Sequence, residues 1–127
     1  MLKRIKNKEG IKKIFDLGNK INSSDKKVKA VYYSSYRESL PVLKYAVVIS
    51  SKTGNSVWRN RFKRLIRESI NAETTTIKEL LLSLESDIEV IFLPAVINQI
   101  NCKKIFLKGI QPAVSDILLK IKNAQSK

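Results

Sequence analysis

The segment from Val57 to Asn71 constrains the fold most, because as a helix its side chains divide into two faces of opposite character. At about 3.6 residues per turn, its apolar residues form one arc and its cationic residues form another. The apolar arc requires a layer of structure to pack against, and the cationic arc requires water or an anionic partner. The cationic arc holds Asn60, Arg61, Lys63, Arg64 and Arg67, with Arg59 at its border.

The stretch that holds this cationic arc contains no acidic residue. No Asp or Glu occurs between Gly54 and Arg67, whereas a helix that needed only solubility would place acids one turn away from its bases. Four of the five bases between Arg59 and Arg67 are arginines, whose planar guanidinium binds phosphate with two hydrogen bonds. A merely solvated helix face is the alternative. The missing counter-charges favour binding to nucleic acid.

The charge of the whole chain points the same way. Its 127 residues carry a formal net charge of +14. Residues 1–67 hold 18 of the 25 bases and 4 of the 11 acids, so the first half carries the whole imbalance. Nucleic acid is the leading explanation and an anionic membrane surface is the second. The length predicts a single domain over residues 1–127, with room for disorder in the last few residues.

The composition excludes several classes of site. With one cysteine, Cys102, and no histidine, the chain offers no internal disulfide and no set of ligands for a structural zinc. This composition predicts a reducing compartment, the cytoplasm. No apolar run approaches the roughly 20 residues of a membrane span, and the basic N-terminus lacks the apolar segment of a signal peptide.

Hydrophobic periodicity predicts an alternation of helices and strands. The expected elements are a helix over 7–17 closed by Gly18, a turn or short edge strand within 19–27, and strands over 28–36, 43–51 and 87–94. The segment 43–51 is almost continuously apolar, which predicts a central position in the sheet. Residues 38–41 are predicted to form the turn between the first two long strands.

The remaining segments are predicted to be helical. Asn55 or Ser56 is expected to cap the basic helix, and a capping box at Thr76 predicts a new helix through Leu84. Residues 101–122 have helical spacing, and Pro112 predicts either a kink or the start of a second helix. The order of elements predicts an α+β fold, a single-domain sandwich with a small central sheet and helices packed on it.

One stretch also resembles a known family. The sequence KTGNSVWRNRFKRLIRESI, residues 52–70, is similar to the signature of the protein component of bacterial ribonuclease P. Ser56 stands where the family usually has Ala. The residues that match the signature are Lys52, Gly54, Asn55, Val57, Arg59, Asn60, Arg61, Lys63, Arg64 and Arg67.

The resemblance implies a ribosomal-protein-like domain with an unusual left-handed βαβ crossover. It also implies a cleft between the sheet and the first helix, where the single-stranded 5′ leader of precursor tRNA binds. Ile11, Phe15 and Tyr33 would line this cleft, with Ile11 in place of the family's Phe. Tyr32 is an alternative to Tyr33, and because side chains alternate along a strand, only one of the two faces the leader. From the residues alone, core packing is the simpler role for Phe15 and Tyr33.

The function implied by the resemblance is that of the RNA-binding protein subunit of ribonuclease P. The RNA subunit would carry the chemistry with bound Mg²⁺, and the protein would supply no catalytic residue and no metal site of its own. The basic helix (Arg59, Asn60, Arg61, Lys63, Arg64, Arg67) would contact the catalytic RNA, and Lys52 and Asn55 would help to order metal ions or the leader near the cleavage site. The implied partners are the catalytic RNA and the precursor tRNA leader, without a membrane or an obligate protein partner.

Two other classes of function fit a chain this basic. The first is a ribosomal or other structural RNA-binding protein without an enzymatic role. The second is a membrane-surface or DNA-binding protein. A membrane-surface helix needs a long exposed apolar face, and a DNA reader usually has a helix-turn-helix or a dimerisation element. The sequence offers neither feature.

Overall fold

The computed structural model describes residues 2–5, 8–36, 42–84 and 86–125. Nine elements follow one another in these ranges, and they form the α+β sandwich that the sequence predicts. They are β1 (Leu2–Arg4), α1 (Lys8–Leu17), β2 (Asn19–Asn22), β3 (Val28–Tyr36), β4 (Leu43–Val47), α2 (Ser56–Ala72), α3 (Thr74–Leu84), β5 (Ser86–Pro94) and α4 (Leu107–Gln125).

The strands form one mixed sheet in the order β1-β4-β5-β3-β2. β3 pairs antiparallel with β5 along its whole length, while β4 lies parallel to both β1 and β5. β4 is therefore an inner strand, as its apolar sequence predicts, and β2 is the predicted short edge strand. The connection β4–α2–α3–β5 links two parallel neighbours, so it is a βαβ unit. The left-handed sense of this crossover stays a prediction.

The two faces of the sheet are covered unequally. α2, α3 and α4 pack on one face, where the large core includes Tyr32, Tyr45, Phe62 and Phe92. α1 packs on the other face, where a smaller cluster is built on Ile14, Val31 and Ile91. No helix within the described ranges is long and apolar enough to cross a membrane.

Several elements begin or end at residues other than those predicted. β4 ends at Val47 rather than at residue 51, although the backbone N–H of Val48 still donates to the carbonyl of Phe92 at 3.0 Å. α3 begins at Thr74, so Thr76 lies inside the helix and its hydroxyl donates to Glu73 at 3.1 Å instead of capping. The predicted turn at 38–41 lies outside the described residues.

The C-terminal segment also differs from the expectation of helix from residue 101. Residues 101–106 form a loop, and α4 begins at Leu107 with Pro112 inside it. Pro112 is tolerated because it is only the sixth residue of the helix. The single backbone hydrogen bond that a proline removes is lost near the helix start, where little of the helix precedes it.

Candidate RNA-binding surface

The basic helix is α2, and its two faces divide as the helical wheel predicts. The side chains of its apolar arc are buried, with Phe62, Ile66 and Ile70 wholly inaccessible and Trp58 stacked on Phe62 at a ring-centroid distance of 6.0 Å, whereas Val57 in the first turn is 76% exposed. Burying an aromatic pair of this size fixes the helix firmly on the sheet. The opposite face, formed by Asn60, Arg61, Lys63, Arg64 and Arg67 and called here the basic face, points away from this core.

The side chains of the basic face are not equally accessible. Asn60, Lys63 and Arg64 are exposed, whereas Arg61 and Arg67 are half-buried. Arg64 approaches Glu68 one turn later, with 3.8 Å between Nε and Oε1, and both side chains remain about half exposed. A pair this exposed contributes little to stability, so the guanidinium remains available to a phosphate.

Arg59 lies at the border of the basic face, as the wheel predicts. Arg59 as a whole is half-buried, and its Nε has no hydrogen-bond partner among the described residues. A buried donor without a partner costs about 1–3 kcal/mol. Of the arginines in the signature, Arg59 is the one whose Nε is buried without a hydrogen-bond partner among the described residues.

The N-terminus of α2 is positioned by a cap and by a distant loop. Asn55 is the N-cap, and its Oδ1 accepts a hydrogen bond from the backbone N–H of Trp58 at 2.9 Å. The backbone N–H of Asn55 donates to Oε1 of Gln99 at 2.8 Å. The backbone N–H of Gln99 in turn donates to the carbonyl of Thr53, also at 2.8 Å. Lys52 is exposed beside this anchored turn.

The same loop contacts α2 at two further points. The indole N–H of Trp58 donates to the carbonyl of Cys102 at 2.8 Å, and Nε of Arg61 donates to the carbonyl of Ile105 at 2.7 Å. One of the three guanidinium nitrogens of Arg61 is therefore already hydrogen-bonded within the protein. No local sequence signal predicts these ties, because the partners lie 44 residues apart.

A cleft of about 200 Å³ connects the basic face with the first helix. Ile11 of α1 lines it together with Lys63 and Arg67 of α2. Arg4 of β1 and Tyr45 of β4 complete the residues with polar groups. The sequence reasoning missed Arg4 because three residues are too few for a strand pattern. Tyr45 was missed because it was assigned only to the apolar strand.

Phe15 and Tyr33 do not line this cleft, although both lie on the α1 side of the sheet. Phe15 is 36% exposed, and Tyr33 packs against the Ile14 cluster with Nζ of Lys13 5.2 Å from its ring centroid. Tyr32 is 4% exposed in the core under α2 and α4. Tyr33, rather than Tyr32, therefore lies on the face that α1 covers.

The described residues contain no group of three or more His, Cys, Asp or Glu side chains that could hold a metal ion. Lys52 cannot act as a ligand while it is protonated, and Oδ1 of Asn55 is engaged in the cap. The role of Lys52 and Asn55 in ordering metal ions or the leader stays a prediction.

Comparison with known proteins identifies relatives of this chain. Residues 2–107 match the model of the family described as Ribonuclease P. A curated relative, the ribonuclease P protein component of Brevibacillus brevis, is 37% identical over 67 residues, which are 53% of this chain and 50% of the relative. The chain thus matches about half the length of that relative.

Solved structures share the fold over nearly the whole chain. The ribonuclease P protein of Staphylococcus aureus is 20% identical, with a TM-score of 0.65 and coverage of 96% of both chains. The ribonuclease P protein of Thermotoga maritima is 13% identical, with a TM-score of 0.69 and coverage of 91% of this chain and 94% of the other. The family match spans the sheet, α1, the basic helix and the loop that anchors it, and this chain belongs to the bacterial ribonuclease P protein family.

Proposed function

We propose that this chain is the RNA-binding protein subunit of ribonuclease P. In this role it assists a catalytic RNA in the endonucleolytic removal of the 5′ leader from precursor tRNA in the cytoplasm. One observation carries the proposal beyond family membership. Lys63 and Arg67 belong to the basic face and also line the cleft beside Ile11, so the basic face of α2 continues into a cleft that α1 borders.

This continuous surface suits two RNA ligands at once. The exposed side chains of Asn60, Lys63 and Arg64 bind phosphates of the catalytic RNA, whose neutralisation releases counterions and favours assembly. The leader enters from the cleft side and reaches Phe15 and Tyr33, which stack on its bases. Stacking on aromatic rings tolerates any base, which suits leaders that differ between precursor tRNAs.

The protein supplies binding and not the reacting groups. The RNA subunit would hold the Mg²⁺, which would supply activation of water and stabilisation of the leaving oxygen. The Lys and Arg side chains of the protein lower the amount of Mg²⁺ needed for assembly, because they replace part of the counterion atmosphere. Lys52 and the capped turn at Asn55 help to position the leader close to the bond that is cleaved.

The test is cleavage of a precursor tRNA by a bacterial ribonuclease P RNA at low Mg²⁺, with and without this protein. We expect a large stimulation. Lys63→Gln should weaken binding to the RNA and reduce the slope of log affinity against log salt by about one. Lys78→Gln removes the same charge from an exposed site on α3 and is the matched control. Binding without stimulation would instead indicate a structural RNA-binding role.

A second comparison tests the leader contact. Phe15→Ala should weaken binding of precursor tRNA to the complex of RNA and protein by about 1–3 kcal/mol, because a leader base loses the ring on which it stacks. Binding of mature tRNA, which has no leader, should be unchanged. Leu17 is 59% exposed on the same helix, so Leu17→Ala is the matched control. Equal losses for precursor and mature tRNA would contradict the leader role of Phe15.

A further inference from the structure

A second basic groove lies where the loop 95–106 enters α4. Its volume is about 190 Å³, and its floor includes the buried side chains of Ile105 and Ile110. Lys27, Lys104 and Lys108 stand around it, and no acidic residue is part of its lining. Nζ of Lys27 reaches over the first turn of α4, 3.3 Å from the point where a β-carbon on Gly109 would lie. The groove therefore combines an apolar floor with a cationic rim.

Phe106 forms one wall of this groove and leaves 51% of its surface exposed. An aromatic side chain with half of its area in water forgoes much of the free energy that burial would provide. Its ring lies 6.0 Å from the guanidinium carbon of Arg61, and Arg61 is held in place by its 2.7 Å hydrogen bond to the carbonyl of Ile105. The ring is thus supported by a fixed cation rather than by the core.

A rim of lysines around a supported aromatic ring matches the chemistry of a nucleotide. The ring offers a surface for an unpaired base, and ammonium groups on either side bind the flanking phosphates. The groove (Lys27, Lys104, Ile105, Phe106, Lys108 and Ile110, called here the Phe106 groove) has both parts. A free apolar ligand would not account for three lysines at its rim.

The position of the Phe106 groove distinguishes between the two RNAs of the proposed function. Ile105 and Ile110 belong to the core under α2 and α4, whereas Tyr33 belongs to the cluster under α1 on the other face of the sheet. Arg61 belongs to the basic face and also contacts Phe106, so the groove continues the surface assigned to the catalytic RNA. A leader bound on the α1 side lies across the sheet from it.

We propose that Phe106 stacks on an unpaired base of the ribonuclease P RNA, and that Lys104 and Lys108 bind the phosphates that flank this base. The inference rests on the proposed function and adds a contact outside the signature of α2. It assigns a binding role to the start of α4, for which no local motif is evident.

The first experiment measures the affinity of the full chain for ribonuclease P RNA at several salt concentrations. Phe106→Ala should weaken binding roughly 5- to 150-fold with no change in the salt slope, because stacking does not release counterions. Phe106→Trp should bind as the unaltered chain does. The double change Lys104→Gln and Lys108→Gln should reduce the salt slope by about one to two. Leu119, 50% exposed on α4, provides the control Leu119→Ala, which should bind normally.

A second experiment does not depend on a destabilising substitution. A photoreactive benzoylphenylalanine at position 106 should cross-link to an unpaired nucleotide of the RNA subunit in the assembled holoenzyme, whereas the same group at position 119 should not. Cross-linking to the precursor tRNA instead, or equal affinities for Phe106→Ala and Leu119→Ala in a chain that binds the RNA, would overturn the inference alone. An unaltered chain that neither binds ribonuclease P RNA nor stimulates cleavage would overturn the proposed function and the inference with it.

Discussion

The two faces of the sheet differ in how many buried side chains pack against them. On the face under α2, α3 and α4, residues such as Phe62, Phe92 and Ile117 are completely buried. On the face under α1, three residues form the buried centre, and Ile11 and Tyr33 at its margin are only partly covered. One ten-residue helix is too short to cover a five-stranded sheet.

Because of this difference, one face of the sheet mainly stabilises the fold and the other leaves side chains accessible for recognition. The thickly covered face contributes most of the burial that holds the domain together, and so it also fixes the direction of the basic face. The thinly covered face leaves side chains such as Phe15 accessible to a ligand. Substitutions on the two sides should therefore differ in their effect on stability, and two pairs of variants and one further substitution measure this effect.

The largest expected effect comes from removing an aromatic ring on either side. Phe62→Ala should lower the free energy of unfolding by about 3–5 kcal/mol, because it opens a cavity beside Trp58 in the thick core. Phe15→Ala should lower it by less than about 1 kcal/mol, since this ring is already 36% exposed. Urea unfolding followed by circular dichroism measures both. Equal losses would refute the proposed division between the faces.

A smaller effect is expected from adding one methyl group at a glycine. A β-carbon on Gly18 would lie 2.5 Å from the carbonyl oxygen of Ile14 and 2.8 Å from that of Tyr32, so Gly18→Ala should cost about 1–3 kcal/mol. The reason is close approach of the backbones, because none of the described glycines has a positive φ.

Gly109→Ala is the control for Gly18→Ala. The nearest atom to its added methyl group is the mobile end of Lys27 at 3.3 Å, and the position is helical. This variant should be as stable as the unaltered chain or up to about 1 kcal/mol more stable, because alanine is the better helix former. Thermal unfolding of the two variants distinguishes these outcomes. A stable Gly18→Ala protein would indicate that α1 moves freely on the sheet.

The smallest effect concerns a polar tie between α4 and the β2–β3 turn. Burial acts to raise the pKa of Asp116, but hydrogen bonds from the backbone N–H of Ser24 and from Lys120 outweigh it and hold this pKa below its usual value. A lowered pKa in the folded state stabilises the protein above the unfolded pKa of about 3.9, and this contribution is lost as the pH falls through the folded pKa.

Asp116→Asn should therefore lower the free energy of unfolding at pH 7 by less than about 1 kcal/mol, since the carboxylate is 30% exposed. The difference from the unaltered chain should shrink below about pH 4. Urea unfolding at pH 7 and pH 3 measures it. A difference that grows toward low pH would have the wrong sign for this interaction.

The sequence predicted those elements whose signal is local. The periodicity around Phe62 located α2 within a residue or two, and Asn55 is the cap because its side chain reaches the N–H of Trp58 three residues later. Thr76 was misassigned because a capping box has the same spacing inside a helix as at its start. β1 was not predicted, since three residues carry no periodicity and its pairing partner β4 lies some 40 residues away.

The candidate site was predicted to a similar extent. The residues of α2 follow from charge and spacing, and the sequence left Tyr32 and Tyr33 open because alternation alone does not tell which face α1 covers. The Phe106 groove and the cleft at Arg4 could not be predicted, because each is assembled from segments that are distant in the chain.

The ties between α2 and the loop before α4 also govern when the basic helix can reach its final position. Asn55 pairs with Gln99, Trp58 with Cys102 and Arg61 with Ile105, each across 44 residues, so the two segments run side by side in step. Contacts this distant form late, because the entropy of closing the intervening loop is lost before they contribute. During synthesis on the ribosome, the signature segment would emerge long before Ile105. Its basic side chains would then be exposed to ribosomal RNA before the hydrogen bonds to the loop have formed.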